Sequence, residues 1–443
     1  MPNNTYRILA EGQLRSNNTW ATGLNNNDLI IGPSGAGKTR NYVKPNLMET
    51  NDSVIVADTK GSLISEVGPL MEARGFRVIN IDFSDMGGSY GYNPLDYIRR
   101  DPVTGKWCEQ DIMTIAATLV PIEDPKQPFW ELSARTYLAC IVGYVLECLP
   151  EEEHTLEYAG KLLGEMNLGS FDKLLEELGQ EDPDSFAYKK YRLFAGNKTA
   201  EKMHQSIIGI LGEKMDPLTW DGPVRMYSKP DKVSFPDLGR KRTAVFLTVS
   251  DTDRSNDRLA ALFYTQALQA LCTSADKDYP DHRLPVPVRL ILDDFATNVR
   301  IEDFDQTISV IRSREIYVSV IIQSLSQLEA LYGPAKAATI MNNCDNCLYL
   351  GGQDVGTARY ISVKANRTAD TILNMALGDA YLFTRGEPPR KVHKYDLRSH
   401  VRYQDLPEAA GAEMPSAPVG PEKSVIAAVG AYQERIAPEK LQR

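Results

Sequence analysis

The sequence predicts an α/β fold built on a mostly parallel sheet, with an all-α domain inserted into it. Three observations carry this reading. Short apolar, β-branched runs recur along the chain, with helical periodicity between them. The runs are near-continuously apolar rather than alternating, as parallel strands covered on both faces are. The strand pattern stops after Asn93-Pro94 and resumes near Thr243, and the interval carries helical periodicity instead.

The strands expected, in order, are Asp28–Ile31, Ser53–Ala57, Arg77–Ile81, Thr243–Val249, Val288–Leu292, Ile316–Ile322, Cys347–Leu350 and Ala380–Phe383. In the interval, helices are expected over Glu109–Leu119, Pro128–Cys148, Leu156–Met166, Ser170–Leu178 and Ala200–Met215. Residues 1–100 and 226–403 thus form the α/β domain in two segments, and 101–225 the all-α insertion. Residues 404–443 form a linker and tail, because Pro407–Pro421 is rich in Pro, Ala and Gly. A short helix is expected over Ser424–Leu441.

The bulk numbers exclude several classes. With 443 residues, 42% hydrophobic and 24% charged, the chain has the composition of a globular protein with room for two or three domains. No apolar run approaches the roughly 18 to 20 residues that cross a bilayer. The N-terminal stretch has neither the basic nor the apolar region of a signal peptide. The expectation is a cytoplasmic chain, recruited to the cytoplasmic face of the cell membrane. Six scattered cysteines suit a reducing compartment. Cys344 and Cys347 form a lone C-x-x-C, with no second pair to complete a zinc site, so a turn entering a buried strand is the better reading. Net charge is -10, and Glu151–Asp184 alone holds eleven acids and two lysines. Arg385–Arg402 holds six Lys/Arg, two acids and two histidines. Such runs are ordinarily solvated faces, and the acidic one is a weak pointer to a basic partner.

One motif carries specific chemistry. Gly32, Pro33, Ser34, Gly35, Ala36, Gly37, Lys38 and Thr39 match G-x-x-x-x-G-K-[ST] completely, directly after the strand at Leu29–Ile31. Glycines let backbone N–H groups wrap phosphates, and the following helix N-terminus favours the anion. Pro45 should limit the first helical segment. The expected ligand is ATP with Mg²⁺, with Lys38 neutralising the β- and γ-phosphates and Thr39 ligating the metal. A second strand must bring carboxylates, and Val288–Leu292 runs into Asp293 and Asp294. Asp293 would hold the metal shell, and Asp294 would orient or deprotonate the attacking water. The bland alternative is a polar strand end capping the next helix. Gln323, at the end of Ile316–Ile322, would sense the γ-phosphate if that strand lies between the other two; otherwise it is a capping amide. Arg312 and Arg314 precede that strand, as fingers for a neighbouring subunit's γ-phosphate or as plain helix-end cations.

These residues, in this order, resemble the type IV coupling proteins, the TraG/TraD-like ATPases of conjugation and type IV secretion, over about Leu29 to Leu382. Gly32–Thr39 is similar to their phosphate loop. Val54–Leu63 is similar to their second-strand signature, and Tyr92–Leu95 to the segment entering their all-α domain. Leu290–Ala296 resembles their carboxylate strand, and Ile321–Leu328 with Tyr332-Gly333 their glutamine strand and its helix. The resemblance implies a RecA-like P-loop NTPase core and a homo-hexameric ring. It implies DNA-stimulated ATP turnover that moves single-stranded DNA and its relaxase to type IV secretion channel proteins, and an all-α domain that meets relaxosome proteins. Three departures stand out: most of the family begins with a pair of transmembrane helices that this sequence does not show, as in a soluble variant, a truncated chain or a chain with a separate membrane anchor; Asp294 stands in place of Glu; and Thr59 and Ser62 stand in place of Pro and Glu. An FtsK-like translocase is disfavoured by the long helical insertion, and a nucleotide kinase by the lack of an identifiable acceptor pocket. A non-hydrolysing docking adaptor stays open because of Asp294.

Overall fold

A computed structural model of the chain describes residues 5–196, 201–250, 252–295 and 299–410. The helix expected over Ser424–Leu441 and most of the Pro407–Pro421 linker lie outside the described residues, as do Ala200 and Ala296.

Eleven strands are described: β1 (Tyr6–Ala10), β2 (Gln13–Ser16), β3 (Asp28–Ile31), β4 (Ser53–Ala57), β5 (Arg77–Asp82), β6 (Thr243–Thr248), β7 (Val288–Leu292), β8 (Ile316–Ile322), β9 (Asn346–Tyr349), β10 (Asp379–Thr384) and β11 (Arg390–His393). Nine form one sheet in the order β11-β10-β9-β3-β8-β7-β4-β6-β5. From β9 to β5 every pairing is parallel; β10 pairs antiparallel with both β9 and β11. All eight expected strands are present within a residue or so. The chain adds two pieces that carry weaker patterns: the β1–β2 hairpin, which forms its own two-stranded sheet, and the partly exposed edge strand β11.

The apolar runs are continuous because the sheet is covered twice. Leu29 and Ile31 join the core on one face and Ile30 the core on the other; Ile55 and its neighbours Val54 and Val56 divide in the same way. Between β5 and β6 run the helices Glu109–Leu119, Phe129–Cys148, Leu156–Leu168, Ser170–Glu181, Phe186–Ala195, Glu201–Met215 and Asp221–Tyr227. Their core is continuous with one face of the sheet through Tyr92, Phe235 and Phe263, which stack edge-on or tilted. Among the described residues no helix is long and apolar enough to cross a membrane.

Pro45 does not end the helix that follows the phosphate loop. Thr39–Val43 forms a wide π-type turn, with the Lys44 N–H donating to the Thr39 carbonyl, and an α-helix continues over Lys44–Glu49. The wide turn places Pro45 in the first turn of that helix, where its missing N–H is tolerated. The start of this helix is anchored from below. Tyr42 Oη donates to Asp28 Oδ2 at 2.8 Å, while Arg7 of β1 holds both oxygens of Asp28 at 2.7 and 3.2 Å. All three side chains are buried, so the charge of Asp28 is fully paired rather than stranded. Asn46 exchanges two hydrogen bonds with the backbone of Ile8, at 2.9 and 2.8 Å, clamping the hairpin to the same helix.

Candidate functional site

Residues 32–38 form the turn between β3 and the helix. Gly35 (φ 77°) and Gly37 (φ 89°) occupy the left-handed region, and a Cβ on Gly37 would lie 1.8 Å from Asn41 Oδ1. The loop is closed by the Ala36 N–H donating to the Pro33 carbonyl at 3.1 Å. It is tied to the neighbouring strand by the Gly32 N–H donating to the Ile322 carbonyl at 3.0 Å. Lys38 curls back over the loop; its Nζ donates to the Pro33 carbonyl at 3.3 Å and lies 3.2 Å from Asp294 Oδ1.

Sheet order supplies the rest of the site. β8 lies between β3 and β7, with Ile31 opposite Ile322 and Leu292 opposite Val320. The side chains that follow β7 and β8 therefore emerge beside the phosphate loop. Thr39 Oγ1 donates to Asp293 Oδ2 at 2.8 Å. Gln323 Nε2 donates to Asp294 Oδ1 at 3.3 Å, and the Asp294 N–H donates to Asp293 Oδ1 at 3.1 Å. Lys38, Thr39, Asp293, Asp294 and Gln323 thus form one hydrogen-bonded set.

The set is electrostatically tuned. Burial, with the Asp294 charge beside it, pushes the Asp293 carboxyl up to about 6, against the opposing pull of the Thr39 hydrogen bond and Lys38. A hydroxyl and a carboxylate 2.8 Å apart are hard oxygen donors, the type magnesium takes, with phosphate and water completing its shell. Among the described residues no cluster of three or more His, Cys, Asp or Glu is placed to hold a metal alone. Asp294 sits at φ 50°, a left-handed backbone that Asp and Asn enter more readily than longer side chains.

The opposite wall comes from the end of β4. Asp58 accepts from the backbone N–H groups of Leu63 (2.6 Å), Lys60 (3.3 Å) and Ile64 (3.4 Å), closing the turn into the helix Leu63–Ala73, and burial raises its pKa. Thr59 and Ser62 line the same cleft as Lys38, Thr39, Asp293 and Asp294. Arg40, Lys44 and Glu66 line it too. Sequence reasoning passed over these three; the signal available was two cations within one turn of the phosphate loop.

Arg314 is not brought to its own chain's phosphate loop. It precedes β8, at the end opposite Gln323, with about 20 Å of strand between them. Its Nε and Nη2 each donate to Asp276 at 2.8 Å. Arg312 Nη2 donates to the Thr19 carbonyl at 3.4 Å. Cys347 is buried in β9 with its thiol pushed up to about 11, and burial raises Cys344 as well, so neither is poised as a thiolate.

Residues 4–372 match the family model described as Type IV secretory system Conjugative DNA transfer. The VirD4 protein of Agrobacterium fabrum (strain C58) is 27% identical over 381 residues, covering 86% of this chain and 53% of the relative. VirD4 of Rhizobium rhizogenes is 26% identical over 401 residues, covering 88% and 58%. The chain therefore spans about half the length of the curated relatives it matches. Among solved structures, the unbound monoclinic form of the bacterial conjugative coupling protein TrwBdeltaN70 superposes with a TM-score of 0.66 at 18% identity, covering 89% of this chain and 87% of that one. TrwB in complex with ADP and Mg²⁺ gives 0.62 at 18% identity, covering 84% and 85%. VirB4 of Thermoanaerobacter pseudethanolicus gives 0.52 at 16% identity, covering 89% and 97%. These superpositions establish the RecA-like P-loop fold with its all-α domain.

Proposed function

We propose that this chain, which belongs to the type IV secretory system conjugative DNA transfer family, is an ATP-driven coupling ATPase that moves single-stranded DNA and its relaxase toward the secretion channel. The observation that carries the reading is the convergence of Lys38, Thr39, Asp293, Asp294 and Gln323 at the ends of three adjacent strands. Lys38 would leave Asp294 to neutralise the β- and γ-phosphates. Asp294, released from Lys38, would accept a proton from, or orient, the attacking water, with Gln323 holding the carboxylate in place. Thr39 and Asp293 would hold Mg²⁺, which supplies charge neutralisation across the phosphates. The TrwB structures with ADP and Mg²⁺ and with non-hydrolysable ATP and GTP analogues support a nucleoside triphosphate at this loop.

The active form in this reading is a homo-hexamer, with Arg314 supplied in trans and the all-α domain meeting relaxase or relaxosome proteins. The acidic stretch Glu151–Asp184 suits a basic partner there, and the ring would work at the cytoplasmic face of the membrane, against the channel proteins. Sizing the protein with ATP and single-stranded DNA while recording hydrolysis tests the proposal. A hexamer whose turnover rises with DNA and vanishes in Lys38→Ala is expected. Ready turnover that no DNA stimulates in any oligomeric state overturns the motor reading.

A second reading is a slow or non-hydrolysing docking adaptor. It is favoured by one observation: Asp294 is a short carboxylate already engaged by Lys38 and Gln323. A misplacement of about 1 Å can cost roughly 10²-fold in rate. Tight ATP binding with little hydrolysis, restored by Asp294→Glu, would select it.

A further inference from the structure

The stretch after β11 folds back across the helix that follows the phosphate loop, and it touches that helix along its length. Lys394 Nζ donates to the carbonyl of Ala36, inside the loop itself, at 3.1 Å. The next residue's carbonyl, on Tyr395, accepts from Asn41 Nδ2 at 2.6 Å. His400 Nε2 lies 3.6 Å from the Glu49 carboxylate at the far end of the helix. Farther along, Glu408 Oε1 is 3.4 Å from Arg40 Nη1 and its Oε2 is 3.1 Å from Lys44 Nζ.

The two cations held by Glu408 both line the cleft that contains Lys38, Thr39 and Asp293. They are not equivalent. Lys44 is only 10% exposed and has a second carboxylate, Glu66, at 2.7 Å, so it stays neutralised if Glu408 leaves. Arg40 is 45% exposed and pairs with Glu408 at the long distance of 3.4 Å. An exposed pair of that length is weak. A triphosphate carries several negative charges where Glu408 carries one, so a phosphate within reach of the guanidinium would compete with the carboxylate for it.

We propose that Arg40 is a further nucleotide-contacting cation, and that Glu408 occupies it from the C-terminal strap in competition with the nucleotide. This rests on the reading of Gly32–Thr39 as a nucleotide site. Two strap contacts, at Ala36 and Asn41, fall on the loop and its first helical turn, so a shift there on nucleotide binding is felt by the whole strap. Coupling of this kind is reciprocal: nucleotide loosens the strap, and loosening the strap tightens nucleotide.

The test uses the full chain, a fluorescent non-hydrolysable ATP analogue and Mg²⁺. Glu408→Gln keeps the shape and removes the charge, and is expected to tighten binding about threefold, the scale of one exposed ion pair. Arg40→Gln added to Glu408→Gln is expected to abolish that gain. In the unmutated protein, hydrogen exchange of backbone amides in 395–410 is expected to accelerate when the analogue is added, a readout that does not depend on any variant folding. Binding unchanged or weakened in Glu408→Gln, a gain that survives Arg40→Gln, or exchange that slows or stays constant overturns the proposal. If binding by the unmutated chain is lost in Lys38→Ala while Glu408→Gln changes nothing, the strap inference alone fails. If the unmutated chain binds no nucleotide, the site reading fails and takes the inference with it.

Discussion

The ammonium of Lys38 stands 3.2 Å from Oδ1 of Asp294, and the same oxygen accepts from Gln323 Nε2 at 3.3 Å. The phosphate-loop lysine therefore has a counter-ion before any phosphate arrives, and the residue assigned to the water is the one that supplies it. Asp294→Asn removes this competitor. Nucleotide affinity is expected to hold or rise, while hydrolysis falls by about 10²-fold or more for loss of a general base. Equilibrium binding and single-turnover hydrolysis separate the two effects.

The backbone of Asp294 makes a further demand. At φ 50°, Asn is accommodated, whereas Glu is expected to lower stability by about 1 kcal/mol. Denaturant unfolding of Asp294→Glu against Asp294→Asn measures the difference.

Gly37 is expected to be intolerant of any side chain. At φ 89°, with a Cβ position 1.8 Å from Asn41 Oδ1, Gly37→Ala forces the loop and Asn41 apart. Nucleotide affinity should drop at least about tenfold, and Asn41→Ala in the same chain should restore only part of it, because the backbone strain of about 1 kcal/mol remains. Fluorescence anisotropy with a labelled nucleotide reports both.

Magnesium dependence should carry the signature of Asp293. Its pKa is raised to about 6, so the ionised form that a metal requires is populated above that pH and lost below it. The gain in nucleotide affinity from Mg²⁺ is expected to shrink as pH falls through about 6, by up to about tenfold per unit. Asp293→Asn should flatten this dependence, and titrations without Mg²⁺ correct for protonation of the phosphate itself.

Asp52 gives a stability prediction of the opposite kind. It is 3% exposed, and burial outweighs the nearby Arg289 and Arg7 to raise its pKa to about 6. A folded-state value above the unfolded one means that the ionised group opposes folding. The penalty is fully present above about pH 6 and is relieved as pH falls toward 4. Asp52→Asn, which can still accept from Asn17 Nδ2, is expected to stabilise the protein by about 1 to 3 kcal/mol at pH 8 and by little near pH 4. Urea unfolding at the two pH values checks the sign.

Arg314 faces away from its own phosphate loop and is held by Asp276. Arg314→Ala is expected to leave nucleotide affinity of the isolated chain unchanged. If it serves a neighbouring subunit, it should lower turnover about 10³-fold only under conditions where the chain assembles. Hydrolysis measured across the assembly threshold distinguishes the two regimes.

The sequence by itself determined the strands, the helical insertion and the phosphate loop. Each is written in local patterns: a continuous apolar run, a helical period, or eight consecutive residues whose glycines, lysine and threonine act together. It also determined that Asp293, Asp294 and Gln323 end strands, because a polar residue closing an apolar run is visible without any fold. Only the tertiary structure decided that these ends meet. Thr39 and Asp293 are 254 residues apart, and their contact depends on β8 lying between β3 and β7, an order set by packing between distant elements that no local period records. The same holds for the strap: Glu408 reaches Arg40 because the chain after β11 turns back over the phosphate-loop helix. Pro45 shows the limit from the other side. Its local rule marks a helix boundary, and the fold passes it with one wide turn that sets Pro45 in the first turn of the next helix, while Tyr42 and Asn46 tie that segment to Asp28 and Ile8.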